Sequence, residues 1–202
     1  KRMHFDVIPK AVDEYHQQLR AYADQDTDAR VNNPVFHIHG HNVPASTMVV
    51  PFSMLLNLAS VSGAESKETL WGFIGRYAPD ASPETNPDLD AAAGFAVRYY
   101  NDFVKPRKVF RLAQDHERVA LEDLLARLKG WDGGLDAEEL QSMVFAVGKA
   151  HGFEPLRAWF STLYEVLLGA KQGPRFGGFI ALYGVDETIA LIEDALAGKL
   201  AV

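Results

Sequence analysis

The chain has no cysteine among its 202 residues. Disulfides and thiolate metal sites are excluded, and the composition suits the cytosol. No run approaches the ~18 continuous apolar residues that a membrane-spanning helix requires. The sequence contains neither a Gly-x-Ser-x-Gly nucleophile elbow nor a glycine-rich loop closed by Lys-Ser/Thr, so nothing supports nucleophilic catalysis or a phosphate cradle. Positive charge is scarce. Twenty Lys and Arg face 27 Asp and Glu, a formal net charge of −7, which argues against a protein that coats nucleic acid indiscriminately. Period-two alternation is too short for a sheet, and no segment repeats at a fixed period. The opening Lys1-Arg2-Met3-His4-Phe5-Asp6 lacks the apolar core of a signal peptide and reads as part of something longer.

What remains is a globular composition, 48% hydrophobic and 23% charged, patterned for helices. Pro9 opens a helix carrying Val12, Tyr15, Leu19 and Tyr22 and ending near Asp24. Pro34 to His41 reads as a short extended stretch, followed by a loop through Pro44. Pro51 opens a helix that Gly63 interrupts, and Ser66 caps the next. Asn86-Pro87 starts a longer helix that Pro106 stops. Asp115 caps a helix with Val119, Leu121, Leu124, Leu125 and Leu128 inside. Gly130, Gly133 and Gly134 form the clearest break, and Asp136 with Glu139 starts a new helix. Glu154-Pro155 launches the stretch carrying Trp159, Phe160, Leu163, Tyr164 and Leu167, which Gly169 ends. Phe176 and Asp186 begin the last two. Roughly nine helices in an irregular all-α bundle are expected, with residues 1–132 as one part and 133–202 as the other.

The loop Lys171-Gln172-Gly173-Pro174-Arg175 mixes cation, amide and glycine between two apolar helices, a platform for an anionic or aromatic ligand. Arg175 is a candidate for phosphate or a base edge, Phe176 for stacking, and Lys171 and Gln172 for polar edges. Trp159, Phe160 and Tyr164 would also suit stacking on unpaired bases, though their helical spacing favours core packing for most of them. A second cluster, Lys105, Arg107, Lys108 and Arg111, carries four cations and no acid. It reads either as an RNA-backbone contact with Phe110 as an apolar anchor or as a solvated linker. Alternate histidines at His37, His39 and His41 would point one way on an extended segment and could ligate zinc. No acidic ligand lies nearby in sequence, so the expected role is at a helix junction or in the core. No catalytic and no metal-ligating residue is assigned.

Several runs are recognisable together. Leu163-Tyr164-Glu165-Val166-Leu167-Leu168-Gly169 followed by Gln172-Gly173-Pro174-Arg175-Phe176-Gly177 resembles the C-terminal end of class I lysyl-tRNA synthetases, and more loosely that of glutamyl-tRNA synthetases. Phe5-Asp6-Val7-Ile8-Pro9, Val35-Phe36-His37-Ile38-His39-Gly40, Trp71-Gly72-Phe73-Ile74, Tyr99 to Pro106 and Val147-Gly148-Lys149 fall in that family's order. The resemblance implies an α-helix-cage fold that binds the anticodon arm of tRNA-Lys. It further implies a whole enzyme that joins lysine to tRNA through a lysyl-adenylate with ATP and Mg2+, as a cytoplasmic monomer, with neither DNA nor membrane as partner. The family's His-Ile-Gly-His segment and lysine-serine loop are missing here, so the implied role of this stretch is binding, with no cofactor of its own. Two other readings stand beside it, a helical protein-interaction module and a histidine metal site.

Overall fold

The computed structural model describes residues 7–201. The run Lys1 to Asp6, including the start of the Phe5–Pro9 match, lies outside the described residues. Eleven α-helices and no strand occur among the described residues, so the all-α expectation holds. α1 (Ile8–Asp24) accommodates Pro9 in its first turn, where the missing N–H has no helical partner to lose. Two short helices follow, α2 (Thr27–Val31) and α3 (Pro34–His39). α4 (Phe52–Ser62) ends at Gly63 in the left-handed region. α5 (Lys67–Tyr77) and α6 (Pro87–Tyr99) complete the first half. α6 runs on as a π-helical turn, Tyr100–Val104, and a 3-10 turn, Lys105–Arg107.

α7 (Asp115–Lys129) is introduced by a capping box in which Gln114, rather than the expected Asp115, occupies the cap and Glu117 answers it. Asp136 caps α8 (Ala137–Ala150) by accepting the Glu138 and Glu139 amides. α9 (Arg157–Leu163) continues into a second π-helical turn, Tyr164–Leu168, closed by Gly169 at φ 63°. α10 (Phe176–Tyr183) and α11 (Val185–Leu196) end the chain.

The stretch expected to be extended is helical. Asn33 accepts the Val35 amide at 3.0 Å and Pro34 fits the first turn, two helix-start signals that outweigh the β-branched content. On a helix alternate residues lie roughly 200° apart, so the three histidines do not converge. His37 and His41 are exposed beside the edge of Phe36, and His39 Nε2 shares a 2.8 Å hydrogen bond with the Tyr15 hydroxyl. None is a core residue. Among the described residues no group of three or more His, Asp or Glu side chains is placed to hold a metal ion. Val119, expected inside, is exposed.

Two packed sets of side chains form the interior. The first contains Leu55, Leu58, Leu70, Ile74, Leu89 and Ala93. The second contains Leu121, Leu124, Leu140, Val144, Trp159, Leu163, Phe176 and Phe179. α7, which precedes the glycine break, thus shares a core with α8. α10 connects the two sets, with Phe176 and Phe179 in one and Leu182 in the other. Its contact with α8 is backbone to backbone at Gly177. A Cβ there would strike the Ala137 carbonyl and the Gln141 backbone, while Gln141 Oε1 accepts the Gly177 amide at 2.8 Å.

Candidate nucleic-acid interface

The loop between α9 and α10 is built from the end of a helix that winds one residue too wide. In the π-helical turn Tyr164–Leu168, the Tyr164 carbonyl accepts the Gly169 amide and also the Ala170 amide at 3.1 Å. The chain then crosses the surface through Lys171 and Gln172, both exposed, before α10 begins. Beside this loop lies an open groove of about 490 Å³, lined among others by Phe145, Arg157, Phe160, Lys171, Gln172 and Gly173. Phe145 and Phe160 meet edge to face, centroids 5.1 Å apart and planes at 69°. Phe145 is 38% exposed although it projects from a helix that buries Val144 and Val147. Arg157 and Lys171 are exposed and make no side-chain hydrogen bond or ion pair with the described residues. An aromatic ledge flanked by two uncommitted cations and one amide can stack an unpaired base, hold neighbouring phosphates and offer a donor and an acceptor to a base edge.

The structure separates the sequence-derived candidates. Lys171 and Gln172 line the groove. Arg175 points elsewhere, its guanidinium forked onto the Glu138 carboxylate, with Nη2 2.6 Å from Oε2. Phe176 and Trp159 are fully buried, which removes both as stacking surfaces. Trp159 lies on the face of α9 turned to α8, and its indole N–H donates to the Val144 carbonyl at 3.0 Å. Phe176 lies in the first turn of α10, where the close contact at Gly177 presses it into the same core.

The basic cluster is likewise divided. Lys108 turns inward, donating from Nζ to the Ser60 carbonyl at 2.9 Å and lying 4.6 Å over the Phe110 ring. Burial without a carboxylate partner pushes its pKa down to about 8. Phe110 is therefore covered by a cation of its own chain. Arg111 is spent on two acids, Glu165 at 2.6 Å and Glu117 at 2.6 and 2.8 Å, and the Glu117 bond above all holds its pKa up. Glu117 is buried, which by itself would raise its pKa, but Arg111, the Gln114 amide and the Thr162 hydroxyl together bring it down to about 2. Only Lys105 and Arg107 of this cluster are exposed without a side-chain partner among the described residues.

Arg157 and Phe145 were not legible as site residues. The available signals were weak: Phe145 falls out of phase with the Leu140, Val144 and Val147 stripe, and Arg157 stands three residues before Phe160 on one helix face.

Fold and groove define an all-helical domain that presents an aromatic ledge and cations beside a short glycine-proline loop. No protein-family model matches the chain. It is similar to a lysine–tRNA ligase of Roseobacter denitrificans, 73% identical over 200 residues, covering 99% of this chain and 38% of that protein. Lysine–tRNA ligases of Rickettsia bellii and Rickettsia conorii are 47% and 46% identical over 198 residues, covering 97% of this chain and again 38% of each protein. The chain therefore spans about 38% of the length of the curated relatives it matches. Among the described residues no helix is long and apolar enough to cross a membrane.

Proposed function

We propose that this chain is the tRNA-binding region of a class I lysine–tRNA ligase and that the groove beside Lys171 and Gln172 receives the anticodon. The observation that carries the reading is the 73% identity to a lysine–tRNA ligase over 99% of the chain. The groove supports the choice of face, because single-stranded loops are recognised by splayed bases that stack on aromatic rings and expose their pairing edges. In this reading an unpaired base lies on Phe145 and Phe160, Arg157 and Lys171 take the flanking phosphates, and the Gln172 amide meets a base edge. Residues 133–202 carry the anticodon part, while residues 1–132 form the side nearer the acceptor arm and lend α7 to the common core. Lys105 and Arg107 contribute to the backbone contact.

The whole enzyme, in this proposal, is a cytoplasmic monomer that attaches lysine to tRNA-Lys through a lysyl-adenylate. In the same proposal the ATP and Mg2+ chemistry is supplied by parts of the enzyme outside this stretch, which positions the tRNA.

The test is binding of the chain to tRNA-Lys and to a copy whose anticodon uridines are replaced, at two salt concentrations. Weaker binding of the altered copy is the expected result. Each phosphate contact should contribute on the order of −0.7 to the salt slope for a single strand. Equal, salt-sensitive binding of both RNAs would remove anticodon recognition and leave an electrostatic platform. Failure to bind either would overturn the proposal if aminoacylation by the longer protein were also unaffected by Phe145→Ala.

A further inference from the structure

We infer that Tyr164 is a positioning residue for the RNA-binding loop: it holds the loop at both ends and presents Lys171 and Gln172 between them, and does not itself stack on a base. The inference rests on the RNA reading above. At the start of the loop the Tyr164 carbonyl accepts the amides of Gly169 and Ala170. At the end, its hydroxyl donates to the Pro174 carbonyl at 2.7 Å. In between, the ring packs closely against Gly173, where an added Cβ would stand 2.5 Å from Cδ1 and 2.6 Å from Cε1. The loop backbone thus occupies the Cδ1–Cε1 side of the ring, while Tyr164 remains part of the groove lining.

The π-helical turn makes this arrangement possible. In an ordinary α-helix the Tyr164 carbonyl would accept the Leu168 amide, four residues on. The wider winding turns this carbonyl to the Gly169 and Ala170 amides, so the loop departs hydrogen-bonded to the residue whose side chain meets it again at Pro174, ten residues after Tyr164. Burial raises the Tyr164 pKa, which keeps the hydroxyl a donor. Both flanks are secured as well: the Val109 amide donates to the Gly169 carbonyl at 3.2 Å, and Arg175 is forked onto Glu138. Lys171 and Gln172, between these posts, are exposed and have no side-chain partner among the described residues. A loop whose ends are already ordered loses less freedom when it binds.

Tyr164→Phe keeps the ring and removes the bond to Pro174. Three quantities are measured: amide hydrogen exchange of residues 170–175 in the free protein, the melting temperature, and affinity for a tRNA-Lys anticodon stem-loop. Affinity is compared in the unsubstituted background and in a Lys171→Ala, Gln172→Ala background. Exchange of the loop amides should quicken by about tenfold and affinity fall by about three- to tenfold, the range expected for one hydrogen bond, while the melting temperature hardly moves. In the doubly substituted background the affinity loss should vanish, which a merely structural role would not produce. Unchanged exchange would overturn the tether however the RNA behaves. Faster exchange with equal affinity loss in both backgrounds would overturn the positioning role and make Tyr164 a direct contact. If the unsubstituted protein binds no RNA, the RNA reading fails and the loop's role with it, while exchange still decides the tether by itself. Gly173→Ala, which must displace the ring, should quicken exchange in the same segment; slower or unchanged exchange there counts against the tether.

Discussion

The Lys108 ammonium donates to the Ser60 carbonyl at 2.9 Å and pairs with no carboxylate among the described residues. Lys108 belongs to the strap that leaves the first half of the fold, and its side chain also packs on Gly169 at the start of the loop. Its folded pKa of about 8 lies below the ordinary 10.5, so the unfolded chain binds more protons between those values. Stability should therefore rise as pH increases from about 8 towards 10, because the cost of burying the charge is complete below that window and fades through it. Urea midpoints at pH 7.5 and 9.5 check this, and Lys108→Met should flatten the difference.

Glu117 supplies the opposite dependence at the acid end. Its folded pKa of about 2 is below the ordinary 4.5, so its stabilising effect is full above 4.5 and is lost as pH falls through about 2. Arg111→Ala should cost about 3–5 kcal/mol at neutral pH, since it strands a buried carboxylate. Arg111→Lys should not restore the loss, because an ammonium cannot reproduce the fork between Glu117 and Glu165. Urea unfolding of both variants decides the matter.

Phe145 and Trp159 should separate binding from folding. Phe145→Ala should weaken anticodon stem-loop binding by about 1–3 kcal/mol and leave stability nearly unchanged. Trp159→Ala should cost about 3–5 kcal/mol of stability, as for other fully buried aromatics. Equal loss of RNA affinity in stability-matched conditions would contradict this division.

Arg175 is paired with Glu138 on the surface, side chains 57% and 72% exposed. Arg175→Ala should change stability by no more than about 1 kcal/mol. Glu138→Gln frees the guanidinium and removes a negative charge beside the loop, so RNA binding should strengthen and its salt slope steepen. Unchanged binding would place the pair outside the RNA path.

Gly177 marks the tightest helix contact. Gly177→Ala drives a Cβ into α8 backbone that cannot rotate away and should cost about 1–3 kcal/mol. Thermal unfolding tests this directly.

The long helices were legible because their signals are local: Pro9, Pro51, Asn86-Pro87, Asp136 and Gly169 act within one turn of the positions they mark. The short helices α2 and α3 were missed, since five or six residues carry no period to read, and α3 was mistaken for an extended segment on its β-branched content. The loop was legible as cationic, and Lys171 and Gln172 do line the groove. Arg175, Lys108 and Arg111 look alike in sequence, but their fates depend on Glu138, Ser60 and Glu165, which lie 37, 48 and 54 residues away.

Sequence alone determined the helical class, most helix starts and stops, and the likeness to lysine–tRNA ligases, all of which rest on neighbouring residues or on residue order. Only the tertiary structure decided which aromatics are surfaces and which are core. Helical spacing puts Trp159 and Phe160 on adjacent faces; burial against α8 takes the first, and the gap beside the loop leaves the second reachable. Exposure is a property of what packs across from a residue, and that partner is brought by the fold.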